Sequence, residues 1–189
     1  MVDAARTLFL ERGYGATTIE AVSAASGVPP ATVYRLFSSK RGILKAILDV
    51  SIAGDDQPVA LPERRRVQDA VADPDPRHRI AAFVDIAAEV NARTAPVYRI
   101  LIGAASSDPD ATALFDDLNA QRRAGQGQLA RALDRSGALR SGLRARDAAD
   151  IIYTLMSPEV YRLLVLDSGW SAKRYARWVT DTLASSLLR

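Results

Sequence analysis

The chain has 189 residues, 48% of them hydrophobic and 25% charged, with a formal net charge of +3. That balance excludes a disordered chain and suits a globular one long enough to bury a core. Cysteine is absent and histidine occurs once, at His78. Disulfides, thiolate metal sites and cysteine nucleophiles are thereby excluded, and no histidine set exists for a metal centre or a Ser-His-Asp triad, so no cofactor is expected.

The longest apolar stretch, Val97 to Ala105, is broken by Arg99 and is too short to span a bilayer. Asp3, Arg6 and Glu11 break up the N-terminus, which does not read as a signal peptide. The expectation is a cytoplasmic protein with no membrane partner. The mild basicity permits nucleic-acid binding without requiring it.

Taken in order, the chain shows helical rather than alternating periodicity, and the fold class is read as all-α with nine or ten helices. Ala5, Leu8 and Phe9 set a first helix, which Gly13 is placed to end. Thr17-Thr18-Ile19-Glu20 reads as a capping box opening a second helix that carries Ile19 and Val22. Gly27 supplies a residue free to take positive φ, and Pro30 suits the first position of a third helix, with Pro29 as its cap. Helix, short glycine turn, helix is the layout of a helix-turn-helix. In it, Ala31, Thr32 and Arg35 face outward, Val33 and Phe37 inward, and Tyr34 lies toward a sugar-phosphate backbone. Ser39 caps a fourth helix, 39–52, whose Ile43, Leu44, Ile47 and Leu48 face a core.

Residues 53–62 read as a linker. Beyond it, 63–189 reads as one larger helical domain. Ile80, Phe83 and Val84 set one helix; Leu114, Phe115, Leu118, Leu129 and Leu133 a long one; Ile151, Ile152 and Leu155 another. Val160, Leu163 and Leu164, then Tyr175, Trp178, Val179 and Leu183, complete the series. Gly125-Gln126-Gly127 lies within a helix and lacks the preceding strand a phosphate cradle needs.

Phe9-Leu10-Glu11-Arg12-Gly13-Tyr14-Gly15-Ala16-Thr17-Thr18, with Ala25-Ser26-Gly27-Val28, Thr32-Val33-Tyr34-Arg35-Leu36-Phe37 and Ser39-Lys40, resembles the N-terminal domain of the TetR family of regulators. The resemblance covers about residues 4–50. It implies a DNA-binding domain at 1–38, a connecting helix at 39–52 and an effector-binding, dimerising domain at 63–189. It places Thr17, Thr18, Thr32, Tyr34 and Lys40 at DNA-backbone contacts, and Ala31 and Arg35 at the bases. Two departures stand out: Pro29 replaces a frequent serine, and Arg41 a frequent acidic residue. Met1 also starts almost at the first helix, with no basic arm ahead of it.

The same resemblance implies a small-molecule effector, for which Phe83, Ile86, Tyr98, Ile102, Phe115, Leu118, Arg122 and Tyr153 are the candidate lining. It also implies a homodimer, with Val160, Leu164, Trp178, Thr182 and Leu183 as candidate interface. The segment from Pro158 to Leu166, Gly169-Trp170-Ser171 and the last helix resemble actinobacterial-type members. The expected function is a repressor of a double-stranded, palindromic DNA operator that an effector releases through the fourth helix. The alternative is a helical small-molecule carrier or protein-interaction module with a vestigial helix-turn-helix.

Overall fold

The computed structural model describes residues 1–54 and 61–189, which are helical almost throughout; one isolated antiparallel bridge, Leu139 to Leu188, is the only β pairing among them. The all-α expectation holds. Of the expected linker, 55–60 lie outside the described residues. Contacts group the chain into two units: Met1–Asp56 with Arg93–Leu118, and Gln57–Ala92 with Asn119–Arg189.

The first unit begins with α1 (Val2–Ala16), which buries Ala5, Leu8 and Phe9. Gly13 interrupts it at φ 76°, ψ 174°, a backbone state that only glycine adopts without cost. The chain folds back there, and the Tyr14 ring stacks on Phe9 at 5.8 Å. α2 (Ile19–Ser26) is capped by Thr18, whose side chain accepts from the Ala21 backbone N–H, and ends on Gly27 at φ 68°. α3 (Pro30–Phe37) starts with proline at its first position and has no side-chain cap at Pro29. α4 (Lys40–Ala53) is capped by Ser39, which accepts from Gly42 N–H.

The stretch 93–118, which periodicity assigns to the large C-terminal domain, packs with these N-terminal helices. Val97, Tyr98, Leu101, Ala104, Ala111, Leu114 and Leu118 share one core with Leu8, Phe9, Val22, Val33, Ile43, Leu44 and Leu48. Each large apolar side chain so buried contributes roughly 1.5–3 kcal/mol. Arg93 adds a polar tie: its Nε and Nη2 donate to the Ser51 and Ile52 carbonyls at 2.8 and 3.3 Å. A cation there also suits the negative end of the α4 dipole.

The second unit contains a 3-10 turn (Leu61–Glu63) and α5 (Arg65–Ala72). Two long helices, α6 (Pro76–Ala105) and α7 (Pro109–Arg135), contribute residues to both units. α8 (Ala145–Leu155) and α9 (Pro158–Tyr161) follow; α9 continues as a π-helical segment, Arg162–Asp167, before α10 (Ala172–Leu187). The Glu63-Arg64-Arg65-Arg66 run is a solvated helix start, as its charge suggests: Arg66 holds Glu89 through a fork of 2.6 and 2.8 Å.

Along α10, Tyr175, Val179, Leu183 and Leu187 repeat every fourth residue and are fully buried. The Tyr175 hydroxyl donates to the Leu155 carbonyl, and its ring meets Tyr161 edge-on at 4.9 Å. Burial pushes its phenol up to about 12 from the usual 10. The folded state therefore favours the neutral phenol. That contribution is complete below about pH 10 and is lost as pH rises toward 12. Tyr175→Phe is expected to retain more of its helical circular dichroism across that window than the parent chain; the same alkaline midpoint in both would contradict this account of Tyr175.

Candidate functional site

The helix-turn-helix is held from behind and free in front. Val33 is completely buried on the inner face of α3, and Phe37 packs against the core. On the outer face Ala31, Tyr34 and Arg35 are exposed, and Thr32 is half-buried. Arg35 has no hydrogen-bond or ion-pair partner among the described residues. Leu36, which the sequence pattern does not single out, is 54% exposed beside them.

One expected DNA contact is corrected. Thr17 is fully buried, and its hydroxyl donates to the Leu8 and Gly13 carbonyls at 3.2 and 2.8 Å. It closes the break at Gly13 and cannot reach a phosphate. The capping box also shifts by one residue: Thr18, exposed, is the N-cap at 3.1 Å from Ala21 N, so Glu20 falls one position short of the reciprocal bond. Lys40 is committed inside the domain. Its ammonium donates to the Tyr14 carbonyl at 2.7 Å and the Gly15 carbonyl at 3.4 Å, and lies 4.3 Å from the Tyr14 ring centroid. A charged hydrogen bond of this kind is worth about 1.5–3 kcal/mol, so Lys40 first holds the end of α1.

Arg41 finds its partner in Asp110, 3.4 Å away at the start of α7. Asp108 caps the same helix by accepting from the Asp110 and Ala111 backbone N–H groups. Burial, together with the Asp108 carboxylate nearby, pushes the Tyr14 phenol up to about 12. The turn between α6 and α7 thus grips both α1 and α4. This pairing accounts for a basic residue at position 41.

The α3–α4 turn is tight. Ser38 sits at φ 60°, a left-handed backbone state unusual for a residue with a side chain. A Cβ on Gly42 would lie 1.9 Å from the Phe37 carbonyl oxygen. Gly42 therefore sets how closely α3 lies against α4.

The eight candidate pocket residues separate into two sets. Tyr98, Phe115 and Leu118 belong to the core of the first unit, with the Tyr98 and Phe115 rings 5.6 Å apart. Ile102, in the same unit, is 41% exposed; it lies on the solvent side of α6, which corrects it as a lining residue. Phe83, Ile86, Arg122 and Tyr153 belong to the second unit, where Phe83 and Ile86 are buried.

Arg122 and Tyr153 do come together. The Arg122 guanidinium lies 3.7 Å from the Tyr153 ring centroid, and its Nη1 donates to the Tyr153 carbonyl at 2.9 Å. Tyr153 in turn donates from its hydroxyl to Asn119 Oδ1 at 3.1 Å. The next carbonyl groups of the same helix end are also covered. The Met156 carbonyl accepts from Asn91 Nδ2 at 3.2 Å and from Gln126 Nε2 at 3.3 Å. Sequence reasoning misses Asn91 and Gln126 because a lone amide in a helix carries no signal; the one clue is that Gln126 follows Arg122 by a helical turn. These side chains cap the orphan carbonyls of α8. Arg122 Nε and Gln126 Oε1 are nevertheless buried without a hydrogen-bond partner among the described residues.

The interface candidates divide as well. Val160, Leu164 and Thr182 are half-buried and Trp178 is 37% exposed, its ring edge-on to Trp170 at 6.0 Å. Leu183 is fully buried in its own unit, which corrects it as an interface residue. Leu163 and Leu166, which the sequence pattern does not single out for this role, are both about half exposed.

Among the described residues no helix is long and apolar enough to cross a membrane. No curated protein matches the chain in sequence. Residues 1–47 match the family model for bacterial regulatory proteins of the tetR family. The whole chain is similar in fold to solved regulators. PfmR of Thermus thermophilus matches at 21% identity and TM-score 0.73, covering 100% of this chain and 98% of that one. FadR of Bacillus subtilis, solved with stearoyl-CoA, matches at 18% and 0.73, covering 98% and 96%. SmeT, solved with triclosan, matches at 19% and 0.76, covering 100% and 90%. Residues 1–47 thus match the family model for bacterial regulatory proteins of the tetR family, and the full length of the chain shares the fold of these solved regulators.

Proposed function

We propose that the chain is a homodimeric repressor whose α3 reads a palindromic operator and whose second unit takes a small-molecule effector. The observation that carries the DNA half is the outer face of α3: Ala31, Tyr34 and Arg35 are exposed on a helix whose inner face is locked into the core. Arg35 suits bidentate contact to guanine O6 and N7; Thr32 and Tyr34 suit phosphate, and Thr18 donates from the N-terminal end of α2. Lys40 and Arg41 lend charge from behind.

The effector half is supported by the Arg122–Tyr153–Gln126 cluster, and by ligands held in similar folds, stearoyl-CoA in FadR and triclosan in SmeT. Release runs through α4, which shares a core with 93–118 and is tied to it by Arg93 and by the Asp108–Asp110 turn. The effector must favour the state that cannot hold DNA.

Footprinting on DNA upstream of the chain's own gene tests this reading. Two protected half-sites about 34–36 Å apart, or a multiple of that, are expected. Uniform or absent protection would remove the operator.

Dimerisation is assigned to the face of Leu163, Leu166 and Trp178. Leu163→Glu with Leu166→Glu is expected to leave a folded monomer in sedimentation velocity. Leu183→Ala is expected instead to lower the melting temperature, at a cost of about 2–5 kcal/mol for a buried leucine. A dimer that survives the double substitution would place the interface elsewhere.

A further inference from the structure

Leu36 is the most exposed large apolar side chain among the described residues, at 54%. It lies in α3, whose outer face is the proposed DNA surface. Burial sets the directions around that helix. Val33 and Phe37 mark its inner side, so Ala31 and Arg35, one turn apart, mark the side opposite. Tyr34 falls on one flank, and Thr32 with Leu36, also one turn apart, on the other. Helical side chains lean toward the helix N-terminus, so Leu36 covers the turn that carries Thr32. That brings it toward the end of α3 that offers residues to base edges.

A leucine side chain neither donates nor accepts a hydrogen bond. Set against guanine O6, cytosine N4 or a phosphate oxygen, it would displace water from that polar group and return no partner. The major groove presents one apolar group, the C5-methyl of thymine. Resting on the operator reading above, we propose that Leu36 reads a thymine methyl in each operator half-site, close to the guanine that Arg35 reads. Arg35 supplies the polar contact and Leu36, the next residue, the apolar one. Neighbouring Cα atoms are about 3.8 Å apart and successive bases about 3.4 Å, so the thymine lies within about two base pairs of that guanine, on either strand.

Deoxyuridine tests this without disturbing any hydrogen bond, since its base lacks only the methyl of thymine. The full chain is titrated by fluorescence anisotropy with the duplex upstream of its own gene. Copies of that duplex carry deoxyuridine at symmetry-related thymines, one pair at a time. One pair, within about two base pairs of the position where Arg35→Ala relaxes discrimination, is expected to weaken binding. The expected loss is about fourfold per half-site and about fifteenfold for both, the worth of one buried methyl. Leu36→Ala is expected to bind the thymine and deoxyuridine duplexes equally at that pair. Leu36→Gln, close to leucine in length, is expected to do the same, so either variant decides. A Leu36 that only supports the fold would lower both affinities alike and leave their ratio unchanged. That unchanged ratio, or the lack of a sensitive pair in the window, would overturn the assignment. A scrambled duplex separates the two claims. Preference for the upstream duplex with no deoxyuridine effect removes the thymine contact and keeps the operator reading. Equal binding of upstream and scrambled duplexes removes the operator reading, and the thymine contact with it.

Discussion

Arg35→Ala is expected to weaken operator binding by about 1–3 kcal/mol per half-site and to relax discrimination at one base pair, with the fold unchanged. The reason is the isolation of this side chain. It is exposed on α3 and bonds to nothing among the described residues, so truncation removes no internal contact. Its neighbours Val33 and Phe37 keep the helix seated. Lys40 behaves differently: its ammonium is tied to the Tyr14 and Gly15 carbonyls, so its loss loosens α1 along with any phosphate contact. Binding by fluorescence anisotropy to operators altered one base pair at a time checks this. A uniform loss across all sequences would demote Arg35 to a phosphate contact.

Gly42→Ala is expected to have the largest effect on stability of any single methyl addition in the N-terminal domain. The new Cβ would meet the Phe37 carbonyl oxygen at 1.9 Å, a backbone atom that cannot rotate away. Either α3 or α4 must shift. Overpacking of a tight site costs about 1–3 kcal/mol, and the adjoining Ser38 already occupies a left-handed backbone state. Because the turn sets α3 against α4, operator affinity is expected to fall with stability. Thermal unfolding by circular dichroism and anisotropy on the same sample check both. Gly15→Ala is the control: a Cβ there meets nothing within 4 Å, and the chain should tolerate it. A melting temperature for Gly42→Ala equal to that of the parent would show that the turn is looser than its geometry indicates.

The helix-turn-helix is legible in the sequence because its punctuation is local. Gly27 at positive φ and Pro30 at a first helical position act through their own backbones, so their spacing identifies the turn. Thr17 escapes such reading because its hydroxyl bonds a carbonyl nine residues earlier, a contact that no spacing rule encodes. The one-residue slip of the cap follows from the same fact. Arg41 looks like a departure until Asp110, far along the chain, supplies its partner.

The second unit is less legible. The resemblance names Leu183 with Trp178 as interface candidates, whereas Leu183, four residues after Val179, continues the buried row of Tyr175 and Val179. Leu163 and Leu166 fall in the π-helical segment 162–167, where the wider turn changes the phase of exposure. The assignment of Tyr98, Phe115 and Leu118 to a pocket does not anticipate that 93–118 packs with the N-terminal helices. Apolar periodicity marks a buried face and does not say which core buries it.

The central claim is that α3 binds DNA by sequence, and one titration tests it. Anisotropy is measured on the DNA upstream of the chain's own gene and on a scrambled duplex of equal length, over a salt series. The account predicts tighter binding to the upstream duplex at every salt concentration, with both affinities falling as salt rises through counterion release. It also predicts that Arg35→Ala narrows the gap between the duplexes. Equal affinity for the two duplexes, or binding indifferent to salt, would contradict it.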